Sequence, residues 1–133
     1  MIYNGRILVK QRNGIRHLME NIVIKRIYEP ATVTDGYRIL VDRLWPRGMR
    51  KEDAGIDKWM KAIAPSDALR KWYHQDLSNW QEFRHKYLLE LKDNLAVSEF
   101  LSLIKDHKTV TLLYAARDEH QNHALVLREF LQA

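Results

Sequence analysis

The sequence predicts an α/β domain, small and three-layer-like, in which a short mixed, partly parallel sheet is flanked by helices. Three observations carry that expectation: β-branched and aromatic runs at residues 22–28 and 37–44, some sixty mostly helical residues after them, and a further strand-like run at 109–115 followed by one amphipathic helix. With 133 residues, 46% of them hydrophobic, the chain is long enough for one sizeable core, and no Pro/Gly/Ser-rich linker divides it.

Residues 1–18 read as an N-terminal extension, because Met19-Glu20-Asn21-Ile22-Val23-Ile24 makes a natural start to the first core strand. Inside the extension, apolar residues flank Asn13-Gly14, a strong two-residue hairpin signal. A single α/β domain is expected over 19–133. Its first strand stops at Pro30, and the link 29–36, with Asp35-Gly36 turn chemistry, is shorter than the dozen or so residues of a usual parallel crossover. The first two strands are therefore expected to pair antiparallel. Ile56, Trp59, Met60 and Ile63 follow helical spacing until Pro65, and Ser66 is a natural N-cap for a short helix carrying Leu69, Arg70 and Trp72. Ser78 with Gln81 forms a capping box for a long helix whose apolar face holds Trp80, Phe83, Tyr87, Leu88, Leu91 and Leu95. Val97, Phe100, Leu101 and Ile104 mark another short helix. Residues 109–115 read as a buried strand, and Asp118 with Gln121 is suited to cap a last helix carrying Ala124, Leu127 and Leu131.

Composition narrows the function classes. The chain has no cysteine, which removes disulfides, thiolate nucleophiles and thiol-bound metals, and is in keeping with a reducing cytoplasm. No apolar run approaches the roughly 20 residues of a membrane-spanning helix, so a cytoplasmic protein without a membrane partner is expected. The net charge of +5 suggests a polyanion until its position is considered. The first 18 residues hold four bases and no acid, which leaves 18 bases against 17 acids in the rest. Bulk charge thus gives nucleic acid little support as a partner.

The strands at 37–44 and 109–115 have room between them for a right-handed crossover and parallel pairing. Their carboxyl ends then coincide, at the edge where open α/β sheets hold ligands. Asp42, Arg43, Trp45 and Arg47 would face Tyr114, Arg117, Asn122 and His123 across one cleft. Asp42 is either a general base or the partner of an arginine such as Arg70 or Arg117. Arg47, projected by the Trp45-Pro46-Arg47-Gly48 turn, suits a carboxylate or phosphate, while Trp45 either stacks on a ligand or closes the core. Arg117 stands before a helix N-terminus, whose free N–H groups favour anions and disfavour a charged imidazole at His123. His123 is then a proton acceptor, or else a histidine bonded to a backbone carbonyl. His120 and His123 are spaced i, i+3 with Glu119 beside them, but no metal-binding signature accompanies them, so no metal site is expected. Tyr73 and Trp72 belong either to the cleft wall or to the core.

At these residues the sequence resembles the YeaO-like family, domain of unknown function 488. The resemblance rests on residues 35–48 (DGYRILVDRLWPRG), on Ala64-Pro65-Ser66 with Leu69-Arg70-Lys71-Trp72, and on 111–116 (TLLYAA) through 121–127 (QNHALVL), and runs from about Asn21 to the C-terminus. It implies a small α/β protein and puts Asp42, Arg43, Trp45, Pro46, Arg47, Ser66, Arg70, Tyr114, Asn122 and His123 at family motif positions. Family members often carry Lys or another polar residue where this chain has Arg117, and Tyr73-His74-Gln75-Asp76 fits the pattern only in part. The resemblance brings no defined reaction and no cofactor. Two expectations follow from the residues themselves. One is a hydrolase- or transferase-like enzyme acting on a small anionic ligand, a nucleotide or sugar phosphate, with Asp42 and His123 catalytic and Arg43, Trp45, Arg47, Arg70, Tyr114, Arg117 and Asn122 binding. The other is a non-catalytic nucleotide- or nucleic-acid-binding or regulatory module. A homodimer formed through the Trp-Pro-Arg-Gly turn is a third use of the same surface.

Overall fold

The computed structural model describes residues 21–133, together with the backbone of two short strands, β1 (Ile2–Tyr3) and β2 (Arg6–Ile7), paired antiparallel. The hairpin expected at Asn13-Gly14 lies outside the described residues. Strands β3 (Ile22–Arg26), β4 (Tyr37–Leu40), β5 (Lys58–Trp59) and β6 (Val110–Tyr114) make one sheet in the order β3-β6-β4-β5. All four run parallel. Among the described residues five α-helices flank them: α1 (Lys51–Ala54), α2 (Asp67–Gln75), α3 (Trp80–Asp93), α4 (Ala96–Ile104) and α5 (His123–Gln132). The expected α/β class is the observed one. Among the described residues no helix is long and apolar enough to cross a membrane.

The expected antiparallel pairing of the first two strands is wrong, because β6 lies between β3 and β4 and pairs parallel with both. Extended chain advances about 3.3 Å per residue, against about 1.5 Å in a helix. The short link, which holds one 3-10 turn at Val33–Asp35 and otherwise non-helical chain, therefore returns to the sheet's starting edge without an α-helical crossover. A second correction concerns residues 56–63, which form no α-helix but the short strand β5 followed by a single 3-10 turn at Lys61–Ile63. Gly55, in the left-handed region at φ 59°, ends α1, after which Asp57 N donates to Arg38 O (2.8 Å) and Met60 N to Leu40 O (2.9 Å). Edge pairing with β4 thus overrides the helical spacing. Leu95 also leaves the expected apolar face: α3 ends at Asp93, and Leu95 is 94% exposed.

Alternation along the strands divides the core. Ile39, Val41, Val110, Leu112 and Tyr114 face the larger helical layer, with Phe83, Tyr87, Leu91, Phe100, Ile104 and Leu127. Leu40 and Leu113 face the other side, packing with Ile27, Ala54 and the partly buried Trp45 and Trp59. Each such fully buried aliphatic side chain contributes about 1.5–3 kcal/mol relative to exposure.

The amino-terminal part of the sheet is fastened by a buried acid. Asp35 accepts from Arg38 Nη1 (2.5 Å), Lys25 Nζ (3.1 Å), Thr32 N (3.0 Å) and Thr32 Oγ1 (2.9 Å), tying β3, β4 and their link together. Burial alone would raise the Asp35 carboxyl, but the Thr32 N–H, Lys25, the Thr32 hydroxyl and Arg38 outweigh it and lower its pKa from 3.8 to about 2. A depressed folded-state value means the stabilisation is complete above the unfolded pKa of 3.8 and disappears as pH falls through about 2. Asp35→Asn is expected to cost about 3 kcal/mol near neutrality, because it leaves the buried Arg38 and the partly buried Lys25 without their counter-charge. Urea denaturation across pH checks this: the deficit against the wild type should shrink between pH 4 and 2, and a deficit independent of pH would contradict the assignment.

Candidate functional site

The site is built where β4 and β6 end together. Val41 N donates to Leu113 O (3.0 Å), the last backbone rung, and the next rung is made by a side chain: Ala115 N donates to Asp42 Oδ2 (3.1 Å). The other carboxylate oxygen, Oδ1, lies 2.9 Å from His123 Nε2, which is also 3.1 Å from Val41 O. Both neighbours of Nε2 are acceptors, so the ring hydrogen sits on Nε2 and Nδ1 is the nitrogen left over. The structure thus brings Asp42 and His123 into direct contact, each side chain 15% exposed. The alternative pairing of Asp42 with Arg70 or Arg117 does not occur.

His123 owes its position to a cap that differs from the expected one. Asn122 is the N-cap of α5: its Oδ1 accepts from Leu125 N (3.0 Å) and its Nδ2 donates to Asp118 O (3.0 Å). Asp118 instead closes the preceding turn, accepting from His120 N (2.8 Å) and Gln121 N (3.0 Å), which holds its carboxyl below the ordinary value. Asn122 is 3% exposed with its amide engaged at both ends, so it orients His123. Similarly, α3 is not capped by Ser78, whose hydroxyl donates to Asp76 Oδ1 (2.6 Å); Asn79 precedes the helix. Ser66 does cap α2 as expected, accepting from Leu69 N (3.1 Å).

The arginines divide by what they touch. Arg43 donates from Nε to Pro65 O (2.9 Å) and from Nη2 to Ala64 O (3.2 Å), fixing the segment before α2. Arg70 pairs through Nη2 with Asp67 (2.6 Å), while its Nε is buried without a hydrogen-bond partner. Arg47 and Arg117 are exposed. The turn that carries Arg47 is held by Gly48 at φ 77° and by the Tyr28 hydroxyl, which donates to Arg47 O (2.7 Å). Trp45 donates from Nε1 to Met49 O (2.6 Å) and meets Trp59 edge-on, with ring centroids 5.2 Å apart. It closes the smaller core and still forms part of the cleft wall. Tyr114, expected in the cleft, is 2% exposed and belongs to the core; burial first, then Glu119, raises its hydroxyl.

Together these residues line a cleft of about 530 Å³, within the usual range for small-molecule sites. Its wall contains Asp42, Arg43, Trp45, Arg47, Arg70, Arg117, Asn122 and His123. It also contains Tyr73, one of the two placements its sequence left open, and Tyr28, Pro65, His74 and Phe83, which were not assigned to the site from sequence. Tyr28 was legible in principle: with β3 parallel, residues beyond its carboxyl end fall on the same edge as Asp42. His120 lies elsewhere, in the groove between α3 and α5. Beneath the cleft, the fully buried Tyr87 donates to Ile63 O (2.7 Å). Burial, followed by Glu90 and Asp42, pushes its hydroxyl well above the ordinary range, so it remains a donor.

The family described as "Inactive DUF488-N3 subclade" matches residues 21–133. The chain is 48% identical to "Uncharacterized protein YeaO" of Escherichia coli (strain K12) over 113 residues, 85% of this chain and 98% of that protein. The chain belongs to the YeaO-like DUF488 family. Two uncharacterised mycobacterial relatives, Mb3100c of Mycobacterium bovis and Rv3073c of Mycobacterium tuberculosis strain H37Rv, are each 41% identical over 108 residues, covering 81% of this chain and 91% of their own length. No solved structure gives a significant match. In this YeaO-like chain the Asp42 carboxylate joins two strand ends to a helix start, which gives it a measurable structural role. Asp42→Ala is expected to cost about 2 kcal/mol, since it strands the Ala115 N–H and removes the carboxylate beside His123 Nε2, whose hydrogen keeps Val41 O as its acceptor. Asp42→Asn should cost roughly half as much, because an amide oxygen still accepts from Ala115 N. Equal losses in chemical denaturation would contradict this division.

Proposed function

We propose that the chain is a non-catalytic module whose cleft binds a small anionic ligand. The observation that carries the reading is the charge on the wall: Arg43, Arg47, Arg70 and Arg117 stand against Asp42, the one acidic residue among those lining it. The Asp42 charge is already countered by the Ala115 N–H and the His123 ring. Guanidinium groups pair with carboxylate or phosphate in a fixed fork and do so more strongly where water is partly excluded.

Three further observations favour binding without turnover. Asp42 and His123 face each other and the backbone, no serine, threonine or cysteine lines the cleft among the described residues, and the matching family is described as inactive. A recessed cleft fits a small ligand better than an extended strand of nucleic acid, whose recognition needs a continuous basic surface. A cytoplasmic setting belongs to the same proposal, on the cysteine-free sequence. An acid–base enzyme is the second reading, because Asp42 Oδ1 and His123 Nε2 are 2.9 Å apart and an Asp-oriented imidazole leaves Nδ1 to accept a proton.

A thermal-shift panel of inorganic phosphate, AMP, glucose 6-phosphate and phenyl phosphate tests the proposal. At least one is expected to raise Tm, by up to about 2.7 kcal/mol of stabilisation at a hundredfold excess over Kd. The shift should be lost in Arg47→Ala, whose side chain is exposed, and the recovered ligand should be chemically unchanged by NMR. No stabilisation by any anion would overturn the binding reading; conversion of the ligand would favour the enzymatic one.

A further inference from the structure

The cleft's wall also says what kind of anion it takes, an inference that rests on the anion-binding reading above. Aromatic rings run in file through α2 and α3 to the site: Trp80 and Phe83 have ring centroids 5.7 Å apart, Tyr73 stacks on Phe83 at 4.3 Å, and Phe83 lies 6.1 Å from Tyr87. Tyr87 in turn meets the His123 ring edge-on at 6.3 Å. Tyr73, Phe83 and His123 from this file line the cleft, and Trp45 lines it from the turn after β4. Between them the surface is apolar, with Leu44, Pro46, Ala64, Pro65, Ala115 and Ala116.

Several polar groups of the wall are already committed. Asn122 is engaged at both ends of its amide, Asp42 holds Ala115 N and faces His123, and the Trp45 N–H is taken by Met49 O. A ligand hydroxyl placed against these committed groups would lose water without gaining a partner, at a cost of about 1–3 kcal/mol per group in proteins. A flat ring loses nothing of that kind and gains offset or edge contacts with the existing file.

We propose that the ligand is an aromatic anion, a planar ring carrying a single carboxylate or phosphate, in preference to a sugar phosphate. The ring extends the Tyr73–Phe83 stack, and the head group meets the arginines.

Isothermal titration of the full chain with phenyl phosphate, phenylacetate, glucose 6-phosphate, inorganic phosphate and neutral indole tests this. Phenyl phosphate or phenylacetate is expected to bind at least tenfold more tightly than glucose 6-phosphate and inorganic phosphate. Tyr73→Leu should weaken the aromatic anion about tenfold while Tyr73→Phe, which keeps the ring, should not. Glucose 6-phosphate binding as well as the aryl anions would overturn the ring preference and leave the anion reading standing. Indole binding as tightly as phenylacetate would overturn the anion reading and leave an aromatic cleft. Binding of none of these would overturn both. The ligand comparison on the wild-type protein decides the matter even where a Tyr73 variant fails to fold.

Discussion

The geometry of the cleft depends on the Asp42 carboxylate standing where the β4–β6 ladder runs out of backbone. Its Oδ2 supplies the rung that holds Ala115, its Oδ1 faces the first residue of α5, and its main-chain carbonyl accepts from Trp59 Nε1 (2.7 Å) on β5. One residue therefore connects the ends of three strands with the start of a helix. A parallel sheet whose strands end in phase leaves unpaired N–H and C=O groups along one edge. Closing them with a side chain keeps the edge recessed, where closing them with another strand would have filled it.

The arginines follow the same economy of partners. Arg26 donates to Ala116 O (2.8 Å) and Ala115 O (3.1 Å), Arg38 to Gly55 O (2.8 Å) and Ala54 O (2.9 Å), and Arg43 to Ala64 and Pro65. These guanidinium groups hold irregular segments in place by satisfying carbonyls that no ladder reaches, a use suited to a planar fork of five donors. The charge they bring remains near the cleft even where their hydrogen bonds point to the frame. Arg47 and Arg117 are exposed and have no such ties. The site thus combines a hydrogen-bonded floor with an exposed cationic rim.

What could be read from the sequence was local chemistry. Ser66 capping α2, the buried run at residues 110–114, the parallel pairing of that run with β4 and the meeting of Asp42 with His123 depend on short-range signals or on one long crossover. The pairing of the first two strands failed because the short link before β4 gives no sequence mark of which partner it skips. That error also moved Tyr28 to the wrong edge. Trp59 was misread because its helical spacing competes with an edge pairing that exists only after β4 is in place. Asp118 and Asn122 are both good helix caps, and only the path of the chain after β6 decides between them. The frame role of Arg43 left no sequence trace, since its partners are carbonyls, which every residue has.

The aromatic file and the Asp42 bridge meet at His123, whose ring is fixed on one side by acceptors and on another by Tyr87. Loss of that fixation would loosen the cleft floor without touching its rim. A double-mutant cycle in urea denaturation between Asp42→Asn and His123→Gln measures the bridge directly. The account requires a coupling of about 1 kcal/mol or more; strictly additive effects of the two substitutions would contradict it.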